Sequence, residues 1–222
     1  MRKLYVRVLA IAAILALTSL GGIAIAGSGR QELKKLDFTS ERPGKPTGIV
    51  GKVNFSPANA DTAPKRIVIK LEDGTEKNKG VPRRCRASDE ELMAAGTEAC
   101  PEGSLIGDGE VEETTLGVAD LSLFANKDEL IVVAELRGSN PPLRAVTRQD
   151  AGSDRKTVIK VPEGFVLDRA KIEIFKIKKD GKGLLETPES CPDDGDWTNA
   201  ARFKYRDGVE QREKRSSPCD EG

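Results

Sequence analysis

The sequence of 222 residues has no histidine, one tryptophan and two tyrosines. Without imidazole, the commonest general base and the commonest metal ligand are missing. Zinc sites built on histidine, and Ser-His or Cys-His nucleophile pairs, are therefore excluded. Charge of one sign is not in excess either: 36 Lys+Arg stand against 36 Asp+Glu. The basic surplus on which nucleic-acid binding depends is absent. No G-x-S-x-G, P-loop or G-x-G-x-x-G pattern occurs. Aromatic residues make up only 4% of the chain, too few to suggest the stacking platforms of a sugar cleft.

Long apolar runs are rare too, and the main one lies at the N-terminus. Arg2, Lys3 and Arg7 precede the uncharged stretch VLAIAAILAL, and Ala24-Ile25-Ala26 places small residues where a signal peptidase reads them. Residues 1–26 therefore read as a signal peptide with cleavage after Ala26. The alternative is an uncleaved anchor, because residues 8–29 are uncharged and a span needs about 20 residues. Removing residues 1–26 takes away three basic residues and no acidic one, so the mature chain is mildly acidic.

Cysteine is scarce but suggestively placed. Four cysteines allow three pairings. An exported chain meets an oxidising compartment, so disulfides are the expectation. The pairing Cys85–Cys100 and Cys191–Cys219 is favoured, because each bridge then closes its own module. On the loop-closure argument each would stabilise by ~3–4 kcal/mol.

What remains reads as short strands. Residues 48–55, 67–71, 107–115, 119–125, 130–136, 143–146, 158–161, 170–177, 197–205 and 209–214 are rich in β-branched or alternating apolar residues. Turn signals such as Asp73-Gly74 and Asp207-Gly208 punctuate them. In residues 119–125, Leu121, Leu123 and Ala125 oppose Asp120, Ser122 and Phe124. The following run, Leu130 to Val133, is apolar on both faces, as a doubly buried strand would be. One helix is expected: Ser88 and Glu91 form a capping box, and Gly96 is a natural terminator. The expected fold is all-β, an antiparallel two-sheet β-sandwich with one short helix between Cys85 and Cys100. Residues 27–47, rich in Gly, Pro and charge, read as a flexible linker. Residues 48–222 read as a single sandwich domain.

Two stretches carry a resemblance. One runs from Val81-Pro82-Arg83-Arg84-Cys85 through Cys100-Pro101-Glu102-Gly103-Ser104 to Gly107-Asp108-Gly109. The other runs from Thr187-Pro188-Glu189-Ser190-Cys191-Pro192 through Trp197, Phe203, Tyr205 and Asp207-Gly208 to Cys219. They resemble a loose group of uncharacterised exported actinobacterial β-rich proteins with paired local disulfides. The resemblance spans most of residues 48–220. It implies a β-rich fold and the two local bridges, and it carries no catalytic residues.

Three candidate sites remain. Asp193, Asp194 and Asp196 form an acidic cluster that could offer oxygen ligands to Ca²⁺, although CPDDGDW lacks the spacing of a calcium loop and also suits a plain turn. Ser153 and Lys156 match S-x-x-K without its partner motifs. Trp197 reads as an apolar cap beside Cys191, or else as a ligand platform. The functional expectation is an exported, non-enzymatic binding or structural module at the cell surface, meeting a cell-wall or extracellular ligand. It needs no cofactor, and it touches a membrane only if residues 1–26 stay attached. The alternative is a secreted hydrolase using carboxylates.

Overall fold

The structure is a computed structural model, and it describes residues 30–57, 59–150 and 156–221. In chain order the strands are β1 (Gln31–Phe38), β2 (Pro46–Thr47), β3 (Ile49–Phe55), β4 (Pro64–Lys70), β5 (Glu76–Lys77), β6 (Leu105–Glu113), β7 (Gly117–Ala125) and β8 (Glu129–Leu136). There follow β9 (Arg144–Asp150), β10 (Lys156–Lys160), β11 (Leu167–Ile174), β12 (Lys178–Lys179), β13 (Lys182–Gly183), β14 (Leu185–Glu186), β15 (Asp196–Tyr205) and β16 (Glu210–Pro218). The helix α1 covers Asp89–Ala95. The described residues are thus mostly strand, with one short α-helix between Cys85 and Cys100, and the all-β expectation holds.

The sheet plan departs from a simple two-sheet sandwich. A seven-stranded sheet runs β1-β3-β11-β6-β7-β8-β9, and a four-stranded sheet runs β10-β4-β15-β16. Two minor sheets, β12-β13 and β2-β14-β5, complete it. The two large sheets share apolar interiors. Leu33, Val53 and Phe55 of the larger sheet cluster with Ile67, Phe203 and Tyr205 of the smaller. Phe38, Leu123 and Ala125 cluster with Leu184, Leu185 and Trp197.

Within the expected linker the described residues include strands. Gln31–Phe38 is not linker but β1, paired antiparallel with β3 from Gln31↔Phe55 to Phe38↔Ile49. A bulge between Leu33 and Lys35 breaks the two-residue period, so the buried positions Leu33, Leu36 and Phe38 do not alternate evenly in sequence. That irregularity, amid charged neighbours, hides the strand from pattern reading.

Side chains stitch the two large sheets where backbone ladders stop. At one seam, Glu213 of β16 accepts from the Leu33 N–H and the Gln31 amide, each at 2.8 Å. The Ser217 hydroxyl accepts from the Phe38 N–H at 3.0 Å. Asn199 of β15 donates to the Leu36 carbonyl at 2.9 Å. At the other seam, the buried Gln149 of β9 accepts from the Lys160 N–H at 2.8 Å and donates to the Lys160 carbonyl at 3.2 Å. Its amide thereby stands in for a strand residue on both backbone groups of Lys160.

The α1 module covers the outer face of β7 and β8. Ser88 and Glu91 form the reciprocal cap expected: the Ser88 hydroxyl accepts from the Glu91 N–H, and the Glu91 carboxylate accepts from the Ser88 N–H. Gly96 ends the helix at φ 60, and a Cβ there would meet Arg144 Nε at 2.8 Å. Seven residues are too few to persist alone, so packing must hold the helix. Leu92 is its one buried residue, and it joins Cys85, Phe124, Ile131 and Val133 in one cluster. Arg148 of β9 reaches Asp89 and the Ala87 carbonyl, each at 2.8 Å, while Arg144 reaches the Ala94 carbonyl at 2.9 Å.

Candidate functional site

The inner face of the seven-stranded sheet is where the fold leaves space. One register row crosses the whole sheet: Leu36, Gly51, Ile172, Gly109, Leu121, Ala134 and Ala145 are successive partners from β1 to β9. Four of these seven are Gly or Ala, so the middle of the sheet carries little side-chain volume. Gly109 cannot be enlarged, because a Cβ there would lie 2.2 Å from the Lys171 carbonyl oxygen. Opposite lie Thr157, Ile69 and Ala201, a register row of the four-stranded sheet.

The result is an apolar cavity of about 310 Å³ between the two large sheets. Leu121, Val132, Ala134, Ile172, Ile69 and Ile159 are among its walls. These inward side chains are only half-buried, although they sit between two sheets. Cavities of this size fall within the usual ligand range of ~300–1,000 Å³. It is about twice the roughly 150 Å³ of an engineered apolar cavity that admits benzene. The apolar side chains of these walls offer van der Waals contact and dehydration. What such a space can do chemically is hold apolar matter.

The residues singled out from the sequence lie elsewhere. Cys85 bonds to Cys100, and Cys191 to Cys219, as expected. Asp193, Asp194 and Asp196 form the turn into β15: Asp194 accepts from the Asp196 N–H, and the Gly195 N–H donates to the Pro192 carbonyl. Among the described residues, no group of three or more Cys, Asp or Glu is placed to hold a metal ion. Ser153 lies outside the described residues. Trp197 is fully buried, edge-on to Phe38 at 5.4 Å between ring centroids, and its indole N–H donates to the Ser190 carbonyl. It caps the interior beside the second disulfide. Gly107 and Gly109 lie within β6, each pressed against the backbone of β11.

The perturbed carboxylates are held in the ionised form. Burial alone would push the Glu113 carboxyl up. The Thr115 hydroxyl and the N–H groups of Leu116, Thr115 and Val166 outweigh that and bring it below the usual glutamate range. Asp120 is lowered by its hydrogen bond from Arg137, Asp207 by that from Arg30, and Glu210 by that from Lys204. A general acid requires the opposite shift. These four carboxylates lend no support to a hydrolase. Tyr205, buried among Leu33, Phe55 and Phe203, has its phenol pushed up by burial and stays neutral.

Sequence reasoning missed the cavity. Its signal was present as Gly51, Gly109, Ala134 and Ala145, but only the strand register places these four in one row.

Fold and site together define a disulfide-linked β protein with a hollow apolar interior. No protein-family model, curated protein or solved structure matches the chain. Among the described residues, no helix is long and apolar enough to cross a membrane.

Proposed function

We propose that this chain is an exported, non-enzymatic binding protein whose ligand occupies the apolar cavity between its two large sheets. The observation that carries this reading is the cavity itself. A chain of this size normally fills its interior to crystal-like density, whereas here small residues recur across the sheet's central row. Export rests on the signal-peptide pattern of residues 1–26 and fits the two disulfides. The resemblance to exported actinobacterial proteins belongs with the same reading. With no histidine in the chain and mostly apolar side chains around the hollow, the interior offers binding rather than catalysis.

The test uses diphenylhexatriene, an uncharged probe that fluoresces on leaving water. Titration into the processed chain should give saturable binding of one probe per chain. The double variant Ala134→Phe with Ala145→Phe should abolish binding while leaving the unfolding temperature equal or higher. Absence of saturable binding, or binding indifferent to both substitutions, would overturn the proposal.

A further inference from the structure

The cavity wall changes character where β7 turns into β8. There Lys77, Lys79, Asn126, Lys127 and Glu129 join the lining. An open crevice of about 620 Å³ shares Lys77 and Lys79 with the cavity and adds Lys179, Asp180 and Lys182. Two hydrogen bonds fix the strap Lys77–Lys79, which borders both spaces. The Asn78 N–H donates to the Leu184 carbonyl, and the Asn78 side chain donates to the Gly183 carbonyl, both at 2.9 Å. Behind the strap, the buried Leu184 and Leu185 line the cavity. Lys179 and Lys182 face each other across the β12–β13 hairpin. Asp180 and Gly181 turn that hairpin at φ 51 and 84, the double positive that an Asp-Gly turn supplies.

The charges at this mouth do not cancel. Asp128 lies 3.5 Å from Lys79, and Glu129 accepts from Asn126 and Arg148, each at 3.3 Å. Asp180 is the remaining acid of the crevice. Among the described residues, the ammonium groups of Lys127, Lys179 and Lys182 have no carboxylate within ion-pair distance. Beside an apolar cavity, with protein on one side and water on the other, such charges attract an anion more strongly than they would in open water.

Resting on the reading of the cavity as a binding site, we infer that the ligand is an anionic amphiphile. Its alkyl chain lies in the hollow between the sheets, and its carboxylate or phosphate head meets Lys127, Lys179 and Lys182. The apolar wall binds each methylene it covers, and the lysines select the sign of the head. Affinity should therefore rise roughly three- to fourfold per methylene until the hollow is full.

The experiment displaces bound diphenylhexatriene with four compounds: dodecanoate, dodecyl phosphate, dodecanol and inorganic phosphate. The two anionic chains should compete about tenfold better than dodecanol, and inorganic phosphate should not compete. Reversal of two lysines, Lys127→Glu with Lys182→Glu, should weaken dodecanoate about tenfold and leave dodecanol unchanged. Dodecanol matching dodecanoate, with the reversal silent, would overturn the head-group inference while the cavity reading stands. Displacement by inorganic phosphate would overturn it in favour of a free-anion site. Failure of the probe and of every chain compound to bind would overturn both.

Discussion

Strands β7 and β8 bury two apolar faces in different ways. On the outer face, Phe124, Ile131 and Val133 meet Cys85 and Leu92, and all five are buried. On the inner face, Leu121, Val132 and Ala134 stay half-buried against the cavity. Ile131 and Val132 are chain neighbours of nearly the same chemistry, yet one is sealed and the other borders open space. Hydrophobic alternation therefore assigns a residue to a face but does not say how full that side is. Fullness depends on what lies opposite. A disulfide-tied helix closes over the outer face, whereas a row of glycine and alanine thins the inner one.

The largest test of this contrast is truncation on each side. Phe124→Ala should cost about 3–5 kcal/mol, because it opens a void in a packed cluster. Val132→Ala should cost about 1 kcal/mol or less, because its surroundings are already open. Guanidinium unfolding measures both, and equal losses would erase the distinction between the two faces.

Next in size is the bridge that holds the outer cover. Cys85→Ser with Cys100→Ser should cost about 3 kcal/mol on the loop-closure argument. It should also speed proteolysis between residues 86 and 99, since α1 depends on that closure. The same variant should leave diphenylhexatriene binding intact, because neither cysteine touches the cavity. Loss of probe binding would show that the two faces are coupled.

Much of this contrast was legible in the sequence, and the part that was not has a physical cause. The outer module was readable because its determinants are local: Ser88 and Glu91 lie three residues apart, Gly96 ends the helix, and two cysteines flank it. The strands with clean alternation were readable for the same reason. Strand β1 was not, because its bulge shifts Leu36 and Phe38 out of phase with Leu33. The division into a seven-stranded and a four-stranded sheet, with β11 between β3 and β6, is set by pairing between distant segments. No local pattern specifies which strand neighbours which. The disulfide residues of the candidate list were found from spacing, whereas the cavity needed register.

A smaller effect probes the polar support of the larger sheet. Glu113 is buried, and its carboxylate accepts hydrogen bonds from Thr115, Leu116 and Val166. Its folded-state pKa is lowered, so its contribution is present above the unfolded glutamate value and is lost as pH falls through the folded one. Glu113→Gln should cost about 1–2 kcal/mol at neutral pH. It should also flatten the loss of stability below about pH 4.5, the ordinary glutamate range. Thermal unfolding across roughly pH 2–7 checks this. An unchanged acid limb would remove Glu113 from the account.

The seam at β1 has a consequence for behaviour in concentrated solution. An edge strand with unpaired N–H and C=O groups invites another chain to continue the sheet. Here the Leu33 and Phe38 N–H groups are already engaged by Glu213 and Ser217, and the Leu36 carbonyl by Asn199. A foreign strand approaching that edge finds its docking groups taken by side chains of the same molecule. It would have to break bonds to a buried asparagine and a carboxylate before forming any of its own. The stitches that join the two sheets thus also act as a barrier to self-association, and they guard the chain against fibril-like growth along β1.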